Sequence, residues 1–104
     1  MTLHPVASLD DLVDDTPLLV DVGGTPVCVV RTQGEVFAIN DVCSHGQVSL
    51  SEGEIDDCEV ECWLHGSRFD LRTGAARSLP AVDPVPVYPV TIEAGKVLVE
   101  LPEA

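Results

Sequence analysis

Cys43-Ser44-His45 and Cys62-Trp63-Leu64-His65 each place one sulfur and one imidazole within a few residues of each other. Thiolates and imidazoles together suit zinc or an iron–sulfur centre. A zinc finger usually takes its two cysteines from one short segment and its two histidines from another. Here both segments are mixed. A [2Fe–2S] centre with two cysteines on one iron and two histidines on the other suits mixed segments, because each can then reach both irons. Sixteen residues, Gly46 to Glu61, separate the halves, enough for a loop, a strand or two and a return. A Cys₂His₂ zinc site and a metal-free chain are the alternatives, and the second must explain why all four ligand positions are filled.

The other residues of the same types read as structural. Cys28 lies in the run Val27-Cys28-Val29-Val30 and suits a buried, small apolar role. Cys58 falls four residues before Cys62, at a strand entry, and is expected to be structural. His4, in the first strand-like segment, is likewise structural. No Ser/His/Asp triad, phosphate-binding glycine loop or mononuclear iron facial triad is visible, so the chain is not expected to be an enzyme in itself.

The elements that must position the ligand segments are short strands. Pro17 to Val22 and Pro26 to Thr32 flank Gly23-Gly24, a hairpin signal. Glu35 to Asn40 follows Gln33-Gly34, and Val85 to Glu93 and Lys96 to Leu101 flank Ala94-Gly95. Ser8-Leu9-Asp10-Asp11 resembles a capping box and predicts one helical turn through Leu12. Prolines 80, 84, 86 and 89 suit an extended edge or covering loop rather than a central strand. The pattern is all-β: a β-sandwich base built from both ends of the chain, with residues of about 41–81 as a smaller insertion whose two ligand loops meet at its tip.

With 104 residues, the chain is one domain. Four aromatic residues (Phe37, Trp63, Phe69 and Tyr88) leave the core to Val, Leu and Ile, which favours strands. A core of this size is modest, and a metal tying two loops together helps hold it. Residues 1–12 do not read as a secretory signal, and no segment approaches the ~20 apolar residues of a membrane span. The expectation is a cytoplasmic protein whose cysteines bind metal rather than form disulfides. The net charge of −13, from 18 acidic and 5 basic residues, argues against nucleic-acid and anionic-membrane partners and suits either steering toward a basic protein partner or simple solubility. Three of the five basic residues, Arg68, Arg72 and Arg77, follow the second ligand pair, placed to tune its surroundings or to pair with acids such as Asp70.

Cys62-Trp63-Leu64-His65-Gly66-Ser67-Arg68-Phe69-Asp70, then Thr73-Gly74 and Leu79-Pro80-Ala81, resembles bacterial Rieske-type ferredoxins, the small electron carriers of multicomponent aromatic-ring oxygenases. The similarity is densest from about Asn40 to Pro89. It implies the Rieske iron–sulfur fold, in which a β-sandwich base carries a small cluster-binding subdomain. It also implies one [2Fe–2S] cluster held by Cys43, His45, Cys62 and His65, with the Ser67 hydroxyl near sulfur. Exchanging two thiolates for neutral imidazoles removes two negative charges and raises the potential over that of an all-cysteine ferredoxin.

High-potential respiratory Rieske proteins join their ligand loops by a disulfide. The matching positions here are Val48 and Leu64, so that bridge is impossible. Phe69 replaces the tyrosine whose hydroxyl serves ligand sulfur in those proteins. Fewer hydrogen bonds to sulfur imply a potential at the low end of the Rieske range, about −150 mV.

The function implied is a soluble, monomeric one-electron carrier. It would run between a flavin-dependent reductase and a terminal non-haem iron oxygenase, or another redox protein. The alternatives are a Rieske protein attached to iron–sulfur cluster assembly and the small subunit of a nitrite-reductase-like enzyme.

Overall fold

The computed structural model describes residues 2–43, 48–63, 66–77 and 83–101. Among them are ten strands: β1 (Thr2–Ser8), β2 (Leu18–Val22), β3 (Thr25–Thr32), β4 (Glu35–Asn40), β5 (Glu54–Asp56), β6 (Glu59–Glu61), β7 (Arg68–Asp70), β8 (Val87–Tyr88), β9 (Val90–Glu93) and β10 (Lys96–Leu101). They form three sheets, ordered β1-β10-β9, β2-β3-β4-β8 and β5-β6-β7. The all-β expectation holds. β1 and β10 pair antiparallel from Thr2↔Leu101 to Ser8↔Lys96, so the two ends of the chain do build one sheet of the base.

Four hairpins share one device. Gly23-Gly24, Gln33-Gly34, Asp57-Cys58 and Ala94-Gly95 all have positive φ at both residues, between 50° and 91°. A two-residue turn of that kind matches the natural twist of the strands it joins. The three turns containing glycine follow the sequence signals. Asp57-Cys58 carries no glycine to signal the turn, so Cys58, expected at a strand entry, lies instead in the turn between β5 and β6.

The run Val27-Cys28-Val29-Val30 is wholly buried because the β2-β3-β4-β8 sheet is covered on both faces. Val27, Val29 and Ala38 face a core shared with Val97, Val99 and Leu101 of the terminal sheet. Cys28, Val30 and Ile39 face a second core with Leu50, Val60, Phe69, Leu71 and Val85. Each Val, Leu, Ile or Phe fully removed from water contributes about 1.5–3 kcal/mol. The middle sheet therefore fastens the small β5-β6-β7 sheet to the base.

Two expectations need correction. The segment Val85 to Glu93 is not one strand. It breaks at Pro89, with β8 pairing to β4 and β9 to β10. Proline has no N–H for a ladder, and the chain changes sheets there. At Ser8 a 3-10 turn of three residues, Leu9–Asp11, does form, but the Ser8 side chain makes no capping hydrogen bond. Ser8 is still paired to Lys96 in β1, so strand pairing rather than a capping box sets where the turn begins.

Candidate metal centre

Two six-residue loops are built alike. In the first, Val42 and Ser49 form an antiparallel bridge, and the Cys43 N–H donates to the Val48 carbonyl at 3.1 Å. In the second, Glu61 pairs with Arg68, and the Cys62 N–H donates to the Ser67 carbonyl at 2.7 Å. Each cysteine is thus the first residue inside a closed antiparallel pair and bonds to the residue five positions on. The second loop adds a bond from the Gly66 N–H to the Cys62 carbonyl at 2.9 Å, with Gly66 at φ 76°.

Different groups secure the two loops. Asn40 holds the first: its Oδ1 accepts the Val42 N–H at 2.9 Å and its Nδ2 donates to the Tyr88 hydroxyl at 3.1 Å. Asp41 adds three contacts, donating its N–H to Pro26 and accepting from Leu50 and Ser51. Ion pairs stand at the base of the second loop. Arg68 reaches Glu59 at 2.8 Å, Asp56 at 3.5 Å and Glu61 at 3.7 Å, and Arg77 reaches Glu59 at 3.3 Å.

The arginine cluster does pair with acids, chiefly Glu59, Asp56, Glu61 and Glu35, and Asp70 serves the backbone instead. Its carboxylate accepts the Arg72 backbone N–H at 2.7 Å, while the Arg72 guanidinium pairs with Glu35 at 3.3 Å and lies over Phe37. The roles of Asn40 and Asp41 escaped the sequence reading. The available signal was an Asn-Asp pair, both turn-forming residues, directly before the first ligand segment.

Cys43 and Cys62 are buried, outside any disulfide, in one apolar cluster with Leu50, Val60, Phe69 and Leu71. Ser67, five residues after Cys62, is fully buried, and no buried side-chain oxygen or nitrogen among the described residues lacks a hydrogen-bond partner. His45 and His65 lie outside the described residues, as does Leu64. Two soft sulfur donors on matching loops, shielded from water, fit an iron–sulfur centre.

Cys28 and Cys58 sit in the same cluster but are placed differently. Cys28 points from the middle sheet, and burial, with the Asp41 charge adding to it, pushes its thiol up to about 12. Burial likewise raises the Cys58 thiol, against the lowering effect of Arg72. The extended β6 strand separates Cys58 from Cys62 by four residues, roughly 13 Å at the strand rise, too far for a shared disulfide.

Residues 2–89 match the model of the Rieske [2Fe–2S] domain. The chain belongs to the Rieske [2Fe–2S] domain family. Rieske domains carry one [2Fe–2S] cluster. Among curated relatives, the anthranilate 1,2-dioxygenase ferredoxin subunit of Burkholderia cepacia is 43% identical over 98 residues, covering 94% of this chain and 91% of that one. Among solved structures, the ferredoxin of carbazole 1,9a-dioxygenase from Nocardioides aromaticivorans IC177 superposes with a TM-score of 0.91 at 42% identity, over 95% of this Rieske chain and 97% of its own. A chain from the complex of reduced oxygenase and oxidized ferredoxin in carbazole 1,9a-dioxygenase gives a TM-score of 0.89 at 36% identity, over 93% and 100%. The Rieske fold expected from the sequence is therefore the fold observed.

Proposed function

We propose that this chain is the ferredoxin component of a ring-hydroxylating oxygenase system, an electron-transfer subunit rather than the catalytic one. The observation that carries the reading is the pair of matched cysteine loops within a chain similar, over nearly its whole length, to a dioxygenase ferredoxin subunit. When bound, the cluster supplies transfer of one electron at a time. Cys43 and Cys62 supply the thiolates, His45 and His65 the imidazoles, and residues of about 41–81 form the cluster-binding insertion. The Ser67 hydroxyl serves sulfur. Leu50, Val60, Phe69 and Leu71 keep water from the thiolate side.

The terminal non-haem iron oxygenase is the electron acceptor in this reading, and a flavin-dependent reductase the donor. Support for the acceptor comes from the similar ferredoxin solved in complex with its oxygenase. The acidic surface, at net charge −13, favours partners with a basic docking face. The protein works as a monomer in the cytoplasm, where its four cysteines, none of them in a disulfide, stay reduced. Among the described residues no helix is long and apolar enough to cross a membrane.

The test is reconstitution. Anaerobically purified protein should hold about two irons and two acid-labile sulfides per chain. It should give a Rieske-type electron paramagnetic resonance spectrum when reduced, and should restore turnover to a reductase–oxygenase pair lacking its ferredoxin. One zinc per chain without sulfide overturns the reading.

A further inference from the structure

Among the described residues, Asp41 is the one charged side chain that is buried, at 1% exposure. It lies two residues before Cys43. Its N–H donates to the Pro26 carbonyl at 3.0 Å, its carbonyl accepts the Leu50 N–H at 2.6 Å, and its Oδ1 accepts the Ser51 N–H at 2.7 Å. No Lys or Arg among the described residues forms an ion pair with it. A buried carboxylate without a cation is costly. Asparagine would accept the same Ser51 N–H without that cost, so the hydrogen bonding alone does not account for the charge. In surroundings of low polarity the field of such a charge persists over distances that water would erase. Asp41 stands near enough to Cys28, a member of the apolar cluster that also contains Cys43 and Cys62, for its charge to add to the burial that raises that thiol.

We propose that Asp41 sets the reduction potential of the cluster, its buried negative charge opposing the electron that the cluster takes up. The inference rests on the reading of Cys43 as a ligand. Adding one electron to a diferric centre breaks no bond and adds one negative charge. A buried carboxylate that accepts the Ser51 N–H, on a backbone pinned at its N–H by Pro26 and at its carbonyl by Leu50, cannot turn away or collect counterions as a surface carboxylate does. It disfavours the reduced form and leaves the reduced protein a stronger donor. This acts in addition to the missing disulfide and the missing tyrosine hydroxyl.

The test is a redox titration of the intact protein, followed by electron paramagnetic resonance, with Asp41→Asn and Asp41→Ser. Both variants keep an oxygen for the Ser51 N–H and lose the charge. The equilibrium constant for reduction should rise by at least about threefold in each, or about 28 mV at ~59 mV per tenfold for one electron. The shift should survive ~0.5 M salt, because a buried charge is poorly screened. Asp21→Asn removes the same formal charge from an exposed turn, and should shift the constant less and lose that shift in salt.

An Asp41→Asn protein with full iron and sulfide and an unchanged potential overturns the proposal. So does loss of the cluster in both neutral variants, which makes Asp41 a structural cap and nothing more. Wild-type protein holding no iron or sulfide would instead sink the ligand assignment on which the proposal stands.

Discussion

Arg68 donates through Nε to Glu59 at 2.8 Å, on the strands that carry the chain into and out of the second ligand loop. The same carboxylate takes Arg77 at 3.3 Å, and its side chain is only 19% exposed. Opposite like charges surround it: Asp56 faces Glu59 and Glu54 faces Glu61 across β5 and β6. Like charges directly opposite are destabilising. The two guanidiniums are what make this acidic sheet tolerable.

Glu59→Gln should therefore lower stability by about 1–2 kcal/mol, measured by chemical denaturation of the holoprotein. Raising the salt to ~1 M should narrow the gap to wild type, since the pairs are partly exposed. The Arg68 pKa is raised, first by its hydrogen bond to Glu59. A raised folded value contributes stability that is fully present below the ordinary guanidinium range and lost only at more alkaline pH, so this pair adds no pH dependence at neutrality.

Cys28 gives an alkaline signature. Its thiol stays protonated in the folded protein to about 12 but ionises near 9.0 when unfolded. Across that window the unfolded chain holds fewer protons, so stability falls as pH rises, by at most about 1.4 kcal/mol per unit from this group. Denaturation series between pH 9 and 11 should show a shallower decline for Cys28→Ala. An identical slope would remove Cys28 as the cause.

Gly53 and Gly34 separate space from backbone strain. A Cβ on Gly53 would run into the Glu61 carbonyl oxygen, one residue before Cys62, whereas one on Gly34 meets nothing. Gly53→Ala should cost about 1–3 kcal/mol or more and reduce iron occupancy. Gly34→Ala, strained only by its φ of 77°, should cost about 1–2 kcal/mol and leave iron content untouched.

Phe69 is fully buried in the cluster that contains Cys43 and Cys62. Phe69→Tyr should raise the potential from about −150 mV if the new hydroxyl reaches a ligand sulfur. If it finds no partner, it costs about 1–3 kcal/mol instead. A redox titration and a melting curve on the same sample distinguish the two results.

Steering gives a kinetic prediction. Exposed charges are screened over about 10 Å at 0.1 M salt, so electron transfer at limiting partner concentration should slow as salt rises from roughly 0.02 to 0.3 M. A rate indifferent to salt would remove the steering and leave the carrier role standing.

Most of the base was legible because its turns announce themselves. Gly23-Gly24, Gln33-Gly34 and Ala94-Gly95 each carry the residue that left-handed backbone favours, and strands follow on either side. Asp57-Cys58 was not legible, because Cys58 takes φ 60° without the glycine that usually marks such a turn. The two cysteine segments could be singled out by spacing. What secures their loops could not, because Asn40 meets Tyr88 across 48 residues and Asp41 meets Pro26 across a sheet. Such partnerships leave no local pattern.

Trp63 follows Cys62 directly, is 51% exposed, and is the single tryptophan of the chain. Its emission therefore comes from one place, at the edge of the second ligand loop. An iron–sulfur chromophore nearby should quench that light, and loss of the cluster should restore it. A partner covering the loop should shift the emission toward the blue. The molecule thus carries its own optical gauge of loading and docking, with no label attached.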